Sequence, residues 1–222
     1  MSDDSATPPA RFGAAPLEET RQAAAALRRL TGLLLSQEHS HPVVQEMLAR
    51  LPEWERALTA AGPPDPTPRI GTNATPDQRI YLDHAFDVGD YNPCFPEYRF
   101  EHIDPHHAYG RVHFPLAYEG PPGLVHGGFL ALFFDCVVQQ QNCATDRAGK
   151  TRTLTLTYRR PTPLLTDLRF DVKRTVGQRD IESTARLLLD DVVHCSATVS
   201  AVAATPTALP GAQHAARNGN AT

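Results

Sequence analysis

The segment from Gly123 to Thr145, GLVHGGFLALFFDCVVQQQNCAT, constrains the fold more than any other part of the chain. Between Phe129 and Val138 every residue except Asp135 is apolar, so a helix here has no polar stripe to turn toward water. Such an all-round apolar helix is buried on most of its surface. The run is also shorter than the roughly 18 apolar residues that a membrane span needs. The rest of the chain must therefore cover this helix.

Six other segments alternate apolar and polar residues with a period of two, which is typical of strands with one buried face. They are YRFEHI, AYGRVHFPL, TRTLTLTYRR, LRFDVKRTV, IESTARLLL and VVHCSATVSAVA. Several strands around one buried helix predict an α+β domain, which we place at residues 80–204.

The two ends of the chain and one internal segment differ from this domain in composition. Residues 1–16 and 205–222 are polar or small and show no apolar periodicity, so we expect both to be disordered. Residues 61–79 are rich in proline and predict a linker or a long surface loop.

Residues 17–60 predict an N-terminal extension of two amphipathic helices. Pro42 suits the first position of the second helix, and Pro52 is expected to kink or divide it. Trp54 is expected to anchor the two helices.

Charge and composition narrow the functional classes. The 222-residue chain has a formal net charge of -4, which argues against a nucleic-acid module that binds through an overall basic surface. It has no membrane span, and its acidic N-terminus lacks the basic and apolar regions of a signal peptide. We therefore expect a cytoplasmic protein whose four cysteines are reduced.

Two features of the apolar helix point to chemistry. Asp135 places a carboxylate among apolar neighbours, where an unpaired charge is costly. His126, Gly127 and Gly128 precede the apolar run, and glycines at a helix start leave backbone N–H groups uncovered at the positive end of the helix dipole. Each feature alone has a structural alternative, a solvent-facing side chain or a tight turn.

The combination of these features resembles a known family. The run GPPGLVHGGFLALFFD, followed sixteen residues after the aspartate by the threonine of TRTLTLTYRRPTPL, is similar to hotdog-fold acyl-CoA thioesterases of the PaaI-like type. It is most similar to the branch with GPP before HGG and YKRP on the following strand. The resemblance covers about Tyr81 to Ala203 and implies a long helix wrapped by an antiparallel sheet, thioester hydrolysis, no cofactor or metal, and at least a dimer.

The resemblance also assigns residue roles. It implies that the Gly127 amide forms the oxyanion hole, that His126 orients the substrate carbonyl, and that Asp135 activates water or attacks directly. Thr151 matches the residue that holds the water. Substrate contacts are expected from Gly128, Thr157, Arg159 and Arg160, with Arg159 the candidate for the phosphates of coenzyme A.

One position departs from the family pattern. Many members carry Asn or Gln six residues before the histidine of HGG, where this chain has Gly120, so the side chain that positions the thioester is left open.

The alternation of TRTLTLTYRR further predicts that Thr151 shares a face with the other strand threonines, while Leu154 and Leu156 face the helix.

The spacing on the helix predicts a shared site. Eight residues separate Gly127 from Asp135, or about 12 Å along a helix, so one carbonyl cannot reach both groups of the same chain. Two antiparallel helices related by a two-fold axis bring the two groups together, which predicts a homodimer or a tetramer of two dimers.

Other interpretations remain open from the sequence. The alternative to an enzyme is a non-catalytic acyl-CoA-binding or regulatory module using the same cleft, and a hotdog dehydratase is a third possibility. The cluster EHIDPHH, with His102, Asp104, His106 and His107, matches no metal geometry and is interpreted as a turn between strands.

Overall fold

The centre of the molecule is an antiparallel sheet of six strands. The computed structural model describes residues 15–69, 75–82, 86–145 and 149–203, so most of both termini predicted to be disordered lie outside the described residues. The strands are β1 Asp65–Arg69, β2 Gln78–Ile80, β3 Glu97–Ile103, β4 His107–His113, β5 Gly149–Tyr158, β6 Asp167–Val176, β7 Asp180–Leu189 and β8 Val192–Ala203. The helices are α1 Glu18–Leu35, α2 Pro42–Ala61, α3 Val88–Tyr91 and α4 Gly127–Ala144.

The six period-two segments are β3 to β8, so this prediction is confirmed. They lie in the order β3-β4-β6-β7-β8-β5, and all five pairings are antiparallel. In β7 the apolar members of the alternation are buried, as with Ile181, Ala185 and Leu187. The strand β5 lies at one edge of the sheet and pairs with β8 on one side.

The helix α4 coincides with the all-apolar segment. Its buried apolar residues follow helical spacing and contact the sheet interior: Leu130, Phe133, Phe134, Val137 and Val138. Phe133 lies within 5.4–5.8 Å, ring centre to ring centre, of four other aromatic rings, those of Tyr98, Phe114, Phe134 and Phe170. Burying side chains of this size contributes roughly 1.5–3 kcal/mol each, so α4 anchors the core.

The two N-terminal helices form where they are predicted, but they differ in what they contact. On α1, Arg28 is 5% exposed, and its guanidinium donates to the carbonyl oxygens of Gly89 and Phe95, which ties α1 to α3 and the loop after it. No residue of α2 is buried. The prediction that Trp54 anchors these helices is wrong, because its side chain is 53% exposed.

The proline-rich segment contains more regular structure than a linker. Two short strands within it, β1 and β2, pair in parallel. Proline lacks a backbone donor and is tolerated in edge strands, which is compatible with Pro66 and Pro68 in β1. Pro52 does not divide α2, which continues from Pro42 to Ala61.

None of the described helices is long and apolar enough to cross a membrane.

Candidate active site

A turn at Gly123 and a histidine N-cap form the N-terminus of α4. Gly123 adopts a φ of 76°, a left-handed conformation that glycine accepts without strain, and its amide donates to Glu119 Oε1 at 2.7 Å. His126 is the N-cap residue, and its Nδ1 accepts from the Gly128 amide at 3.0 Å. When the imidazole is neutral, its proton is therefore on Nε2, which can donate to a substrate oxygen.

The Gly127 amide is open. Within the described part of the chain no group accepts a hydrogen bond from it, whereas the Phe129 and Leu130 amides both donate to the His126 carbonyl. The site is narrow, because a Cβ at Gly127 would lie 3.0 Å from the ring and hydroxyl of Tyr158 and the ring would have to shift; this hydroxyl donates to the Gly127 carbonyl at 3.1 Å. A donor at the positive end of a helix suits a developing oxyanion.

The structure explains why glycine stands at position 120. A Cβ at Gly120 would lie 2.8 Å from the His126 Cα and 2.9 Å from its Cβ, because the loop runs directly against the cap residue. The pairing of the His126 amide with the Tyr118 carbonyl, at 2.9 Å, holds this approach in place. An Asn or Gln at position 120 is therefore incompatible with this loop.

Thr151 lies on the face of β5 opposite to the one predicted. The register between β5 and β8 shifts between Thr151 and Thr153, because the strand carries one extra residue there. Such a bulge reverses the alternation, so Thr151 faces α4 together with Leu154 and Leu156, away from Thr153. The prediction that all the threonines of β5 share one face is wrong for this reason.

Asp135 and Thr151 are in direct contact. The Thr151 hydroxyl donates to Asp135 Oδ1 at 2.7 Å, and both side chains are partly buried. The Gln139 amide in turn donates to Thr151 Oγ1 at 2.6 Å. The only acid of the apolar helix is thus held by an oriented hydroxyl.

The polar end of α4 was not predicted from the sequence. Gln140, Gln141 and Asn142 are each at most 4% exposed, and each side chain is bonded to a different element. Gln140 accepts from the Tyr98 hydroxyl at 2.8 Å and donates to Asp87 Oδ1 at 2.5 Å. The run QQQN after an apolar helix was the available signal, since hydrogen-bonded amides are tolerated in a core, although Gln141 Oε1 has no partner among the described residues.

The predicted substrate-binding residues lie at separate places. The Gly128 amide is already bonded to His126. Thr157, Arg159 and Arg160 are exposed at the C-terminal end of β5, and Arg159 Nε donates to Ser196 Oγ at 3.2 Å. Arg160 borders a shallow surface pocket with Asp190 and His194.

Other candidate groups are accounted for by packing or local turns. Burial, and secondarily the charge of Asp135, raises the pKa of the Cys136 thiol to about 12, so this cysteine does not supply a thiolate. No disulfide joins the four cysteines, all of which the structure describes.

The histidine-rich segment forms a turn between β3 and β4. Asp104 accepts from the amides of His106 and His107 and contacts His102 Nε2. Among the described residues no cluster of three metal-ligating side chains is present.

Within one chain, the structure groups the predicted catalytic residues into two pairs. His126 and Gly127 begin α4, whereas Asp135 and Thr151 meet two turns further along it. The helix rise of 1.5 Å per residue keeps the Gly127 amide and the Asp135 backbone about 12 Å apart.

Comparison with solved structures identifies similar folds. A crystal structure of a thioesterase superfamily protein matches with a TM-score of 0.69 and 26% identity, covering 84% of this chain and 96% of that one. A hypothetical thioesterase from Streptococcus pneumoniae, solved with coenzyme A, has a TM-score of 0.47, 16% identity and coverage of 49% and 90%. A phenylacetic acid degradation-related thioesterase from Ralstonia eutropha has a TM-score of 0.44, 22% identity and coverage of 47% and 83%.

No family model matches the sequence, and no curated protein matches it. The fold neighbours are thioesterase superfamily proteins with the hotdog fold.

The match to the thioesterase superfamily protein extends beyond the sheet domain. A share of 84% of 222 residues is about 186 residues, and only 126 residues run from Glu97 to the end of the chain. About 60 of the matched residues must therefore precede Glu97. Much of the N-terminal part is thus shared with that protein.

Proposed function

We propose that the protein is an acyl-CoA thioesterase that hydrolyses a thioester to a free acid and coenzyme A. The observation that carries this proposal is the pairing of Asp135 with the Thr151 hydroxyl on a helix that begins with the open Gly127 amide. The 26% identity to a thioesterase superfamily protein supports the same class of reaction.

The groups have complementary chemical roles. The Gly127 amide stabilises the oxyanion that forms on the thioester carbonyl, and His126 Nε2–H orients the same oxygen. Asp135 takes a proton from water as the water attacks the carbonyl carbon, and this proton passes to the sulfur as the C–S bond breaks, which releases the free acid and the thiol of coenzyme A. The alternative is direct attack by the carboxylate, which displaces the coenzyme A thiolate and gives a mixed anhydride that water then hydrolyses.

A second copy of the chain completes this site. The outer edge of β5 is unpaired among the described residues, and an unpaired edge is a template for another strand. Pairing β5 with its copy about a two-fold axis sets two α4 helices antiparallel, so that Gly127 of one chain faces Asp135 of the other. We propose this homodimer, or a tetramer of two such dimers, as the active form.

Three finer assignments complete the proposal. We propose that the protein belongs to the PaaI-like branch that has GPP before HGG and YKRP on the following strand, and that it is cytoplasmic. Arg159 binds phosphates of coenzyme A through charge-assisted hydrogen bonds, with Arg160, Thr157 and Gly128 as further substrate contacts. Replacing Arg159 by Ala should raise KM for acyl-CoA more than for an acyl-N-acetylcysteamine ester, which has no phosphates.

A hydrolysis screen tests the function. The purified protein is assayed for thiol release from short, medium, long and aromatic acyl-CoA esters, and Asp135→Asn is assayed on the best substrate. Loss of a general base should lower the rate roughly 10²- to 10⁴-fold. Asp167→Asn, which removes the same charge from an exposed residue of β6, is the matched control and should retain activity.

Two outcomes of this screen decide between the functional classes. Near-wild-type turnover by a folded Asp135→Asn protein would discard its catalytic role. Binding of acyl-CoA without turnover of any ester would favour the alternative of a non-catalytic acyl-CoA-binding module.

Mixed dimers test the shared site. Asp135→Asn and Gly127→Pro are each expected to be inactive, the second because proline lacks the amide donor. In a heterodimer of the two, one site carries both lesions and the other carries none, so activity should partly return. An inactive heterodimer of folded chains contradicts the shared site.

A further inference from the structure

Five polar side chains form a continuous line from the sheet to Asp135. Three of them follow one face of α4 at positions i, i+4 and i+7: Asp135, Gln139 and Asn142. The other two belong to strands, Thr151 to β5 and Arg174 to β6. The successive donor to acceptor distances are 2.6 Å from Arg174 Nε to Asn142, 3.4 Å from Asn142 to Gln139, 2.6 Å from Gln139 to Thr151 and 2.7 Å from Thr151 to Asp135.

The direction of this line is fixed at its buried end. Arg174 is 4% exposed, and a guanidinium only donates hydrogen bonds. Its Nε therefore requires the carbonyl oxygen of the Asn142 amide, which turns the Asn142 NH2 group toward Gln139. Arg174 is itself held by donation from Nη1 to the Pro105 carbonyl at 3.1 Å.

Each following group in the line accepts a hydrogen bond from the group before it and donates one to the group after it. The Gln139 Oε1 atom accepts from Asn142, so its NH2 group faces Thr151 Oγ1. Because that hydroxyl oxygen already accepts a hydrogen bond, its own proton points to Asp135 Oδ1. The amide orientations are thus determined by the arginine and not by local preference.

We infer that Arg174, Asn142 and Gln139 are positioning residues that force the Thr151 hydroxyl to donate to Asp135. This inference rests on the proposed function, since it assigns the line a task in the same site. Occupation of Oδ1 by Thr151 directs the proton taken from water to Oδ2. It also fixes the carboxylate rotamer, which is what a general base needs in order to keep its geometry.

The direction requires the bulge in β5. Without the extra residue, Thr151 would face away from α4, and Gln139 would have no hydroxyl to orient. The bulge and the line of amides are therefore both needed for the oriented contact between Thr151 and Asp135.

Kinetics of Gln139→Met test the inference. Methionine keeps the length of the side chain but donates nothing, so kcat should fall about 10- to 100-fold, as for other outer partners that orient a reactive ligand, with KM within about twofold. In a Thr151→Val background the same substitution should have no further effect, because Gln139 acts only through that hydroxyl. In a Thr151→Ser background the loss should remain.

Asn142→Asp reverses the direction without removing the contacts. The new carboxylate still accepts from Arg174 but cannot donate, so the Gln139 NH2 group turns toward it and the Thr151 hydroxyl is drawn to Gln139 instead of Asp135. We expect a loss of kcat similar to that of Gln139→Met. Gln141→Leu is the matched control, since its buried amide bonds to the Asp104 carbonyl outside the line, and its kcat should be unchanged.

Hydrogen exchange of the Gln139 side-chain amide gives a readout that needs no substrate. Its protons should be protected in the wild type and in Gln141→Leu, and should lose protection in Thr151→Val. Wild-type kcat in Gln139→Met and Asn142→Asp, or unchanged exchange in Thr151→Val, overturns the inference while leaving the thioesterase intact. If no ester is hydrolysed but the exchange pattern appears, the proposed function fails and the directed line stands.

Discussion

Both halves of α4 contribute buried residues, but the two halves are held by different forces. From Leu130 to Val138 the buried residues are apolar and contact the aromatic and aliphatic core, whereas from Gln140 to Asn142 they are amides. Hydrophobic burial is non-directional, so it holds the helix against the sheet without specifying hydrogen-bond partners. Hydrogen bonds select both partner and orientation, which makes the second half the part that places side chains accurately.

Asp135 lies in the first half but is controlled from the second. Its hydroxyl partner on β5 is oriented by Gln139, one turn further along the helix. A carboxylate surrounded only by apolar groups would be strongly desolvated, and one in the amide cluster would be fully engaged in structure. Asp135 differs from both, because it lies three residues before the end of the apolar half, accepts from the Thr151 hydroxyl and remains partly exposed.

The largest expected effect comes from the apolar half. Phe133→Ala removes a ring that is 1% exposed and contacts four aromatic rings, so the free energy of unfolding should fall by about 3–5 kcal/mol. Urea unfolding followed by circular dichroism measures this. Leu132→Ala, next to it but 41% exposed, is the control and should cost less than about 1 kcal/mol. Equal losses for the two variants would contradict the assignment of the core.

A smaller loss of stability is expected for a substitution in the amide half of α4. Gln140→Leu keeps the volume but leaves the Tyr98 hydroxyl and the Asp87 carboxylate without their amide partner, which costs about 1–3 kcal/mol for each buried group left unpaired. Differential scanning calorimetry should show a lower Tm. Gln22→Leu on the exposed side of α1 serves as the control, with a change within about 0.5 kcal/mol. An unaltered Tm for Gln140→Leu would mean that this network adds nothing to stability.

The smallest expected effect is an increase in the free energy of unfolding that depends on pH. Burial, opposed by the Gln140 hydrogen bond, raises the pKa of Asp87 above its ordinary value of 3.8. The folded state therefore binds this proton more tightly than the unfolded chain, and stability falls as the pH rises from about 3.8 through the raised pKa.

Asp87→Asn removes that cost while keeping an oxygen for the Gln140 amide. Its free energy of unfolding should exceed that of the wild type at pH 7, and the difference should shrink as the pH falls below 3.8. Unfolding curves from pH 3 to pH 8 measure this, and a difference that does not vary with pH would show that the charge of Asp87 is not the cause.

Most of the sheet was predictable from the sequence because its strands alternate regularly. The pattern failed at Thr151, where one inserted residue reverses the alternation, and nothing in TRTLTLTYRR marks a bulge. It failed again at Trp54, since an amphipathic pattern predicts a helix but not what the helix contacts. Arg28, which does fix α1, looked like an ordinary surface residue of an amphipathic helix.

The sequence by itself determined the elements and the candidate chemistry: six strands, a buried helix, an acid within it and glycines at its start. These are local properties, since periodicity and glycine content act over a few residues. Only the tertiary structure decided the direction of the hydrogen bonds that reach Asp135, because that direction begins at Arg174, 39 positions further along the chain. A hydrogen bond depends on which atoms meet and at what angle, and the packing of α4 against β5 and β6 alone sets both.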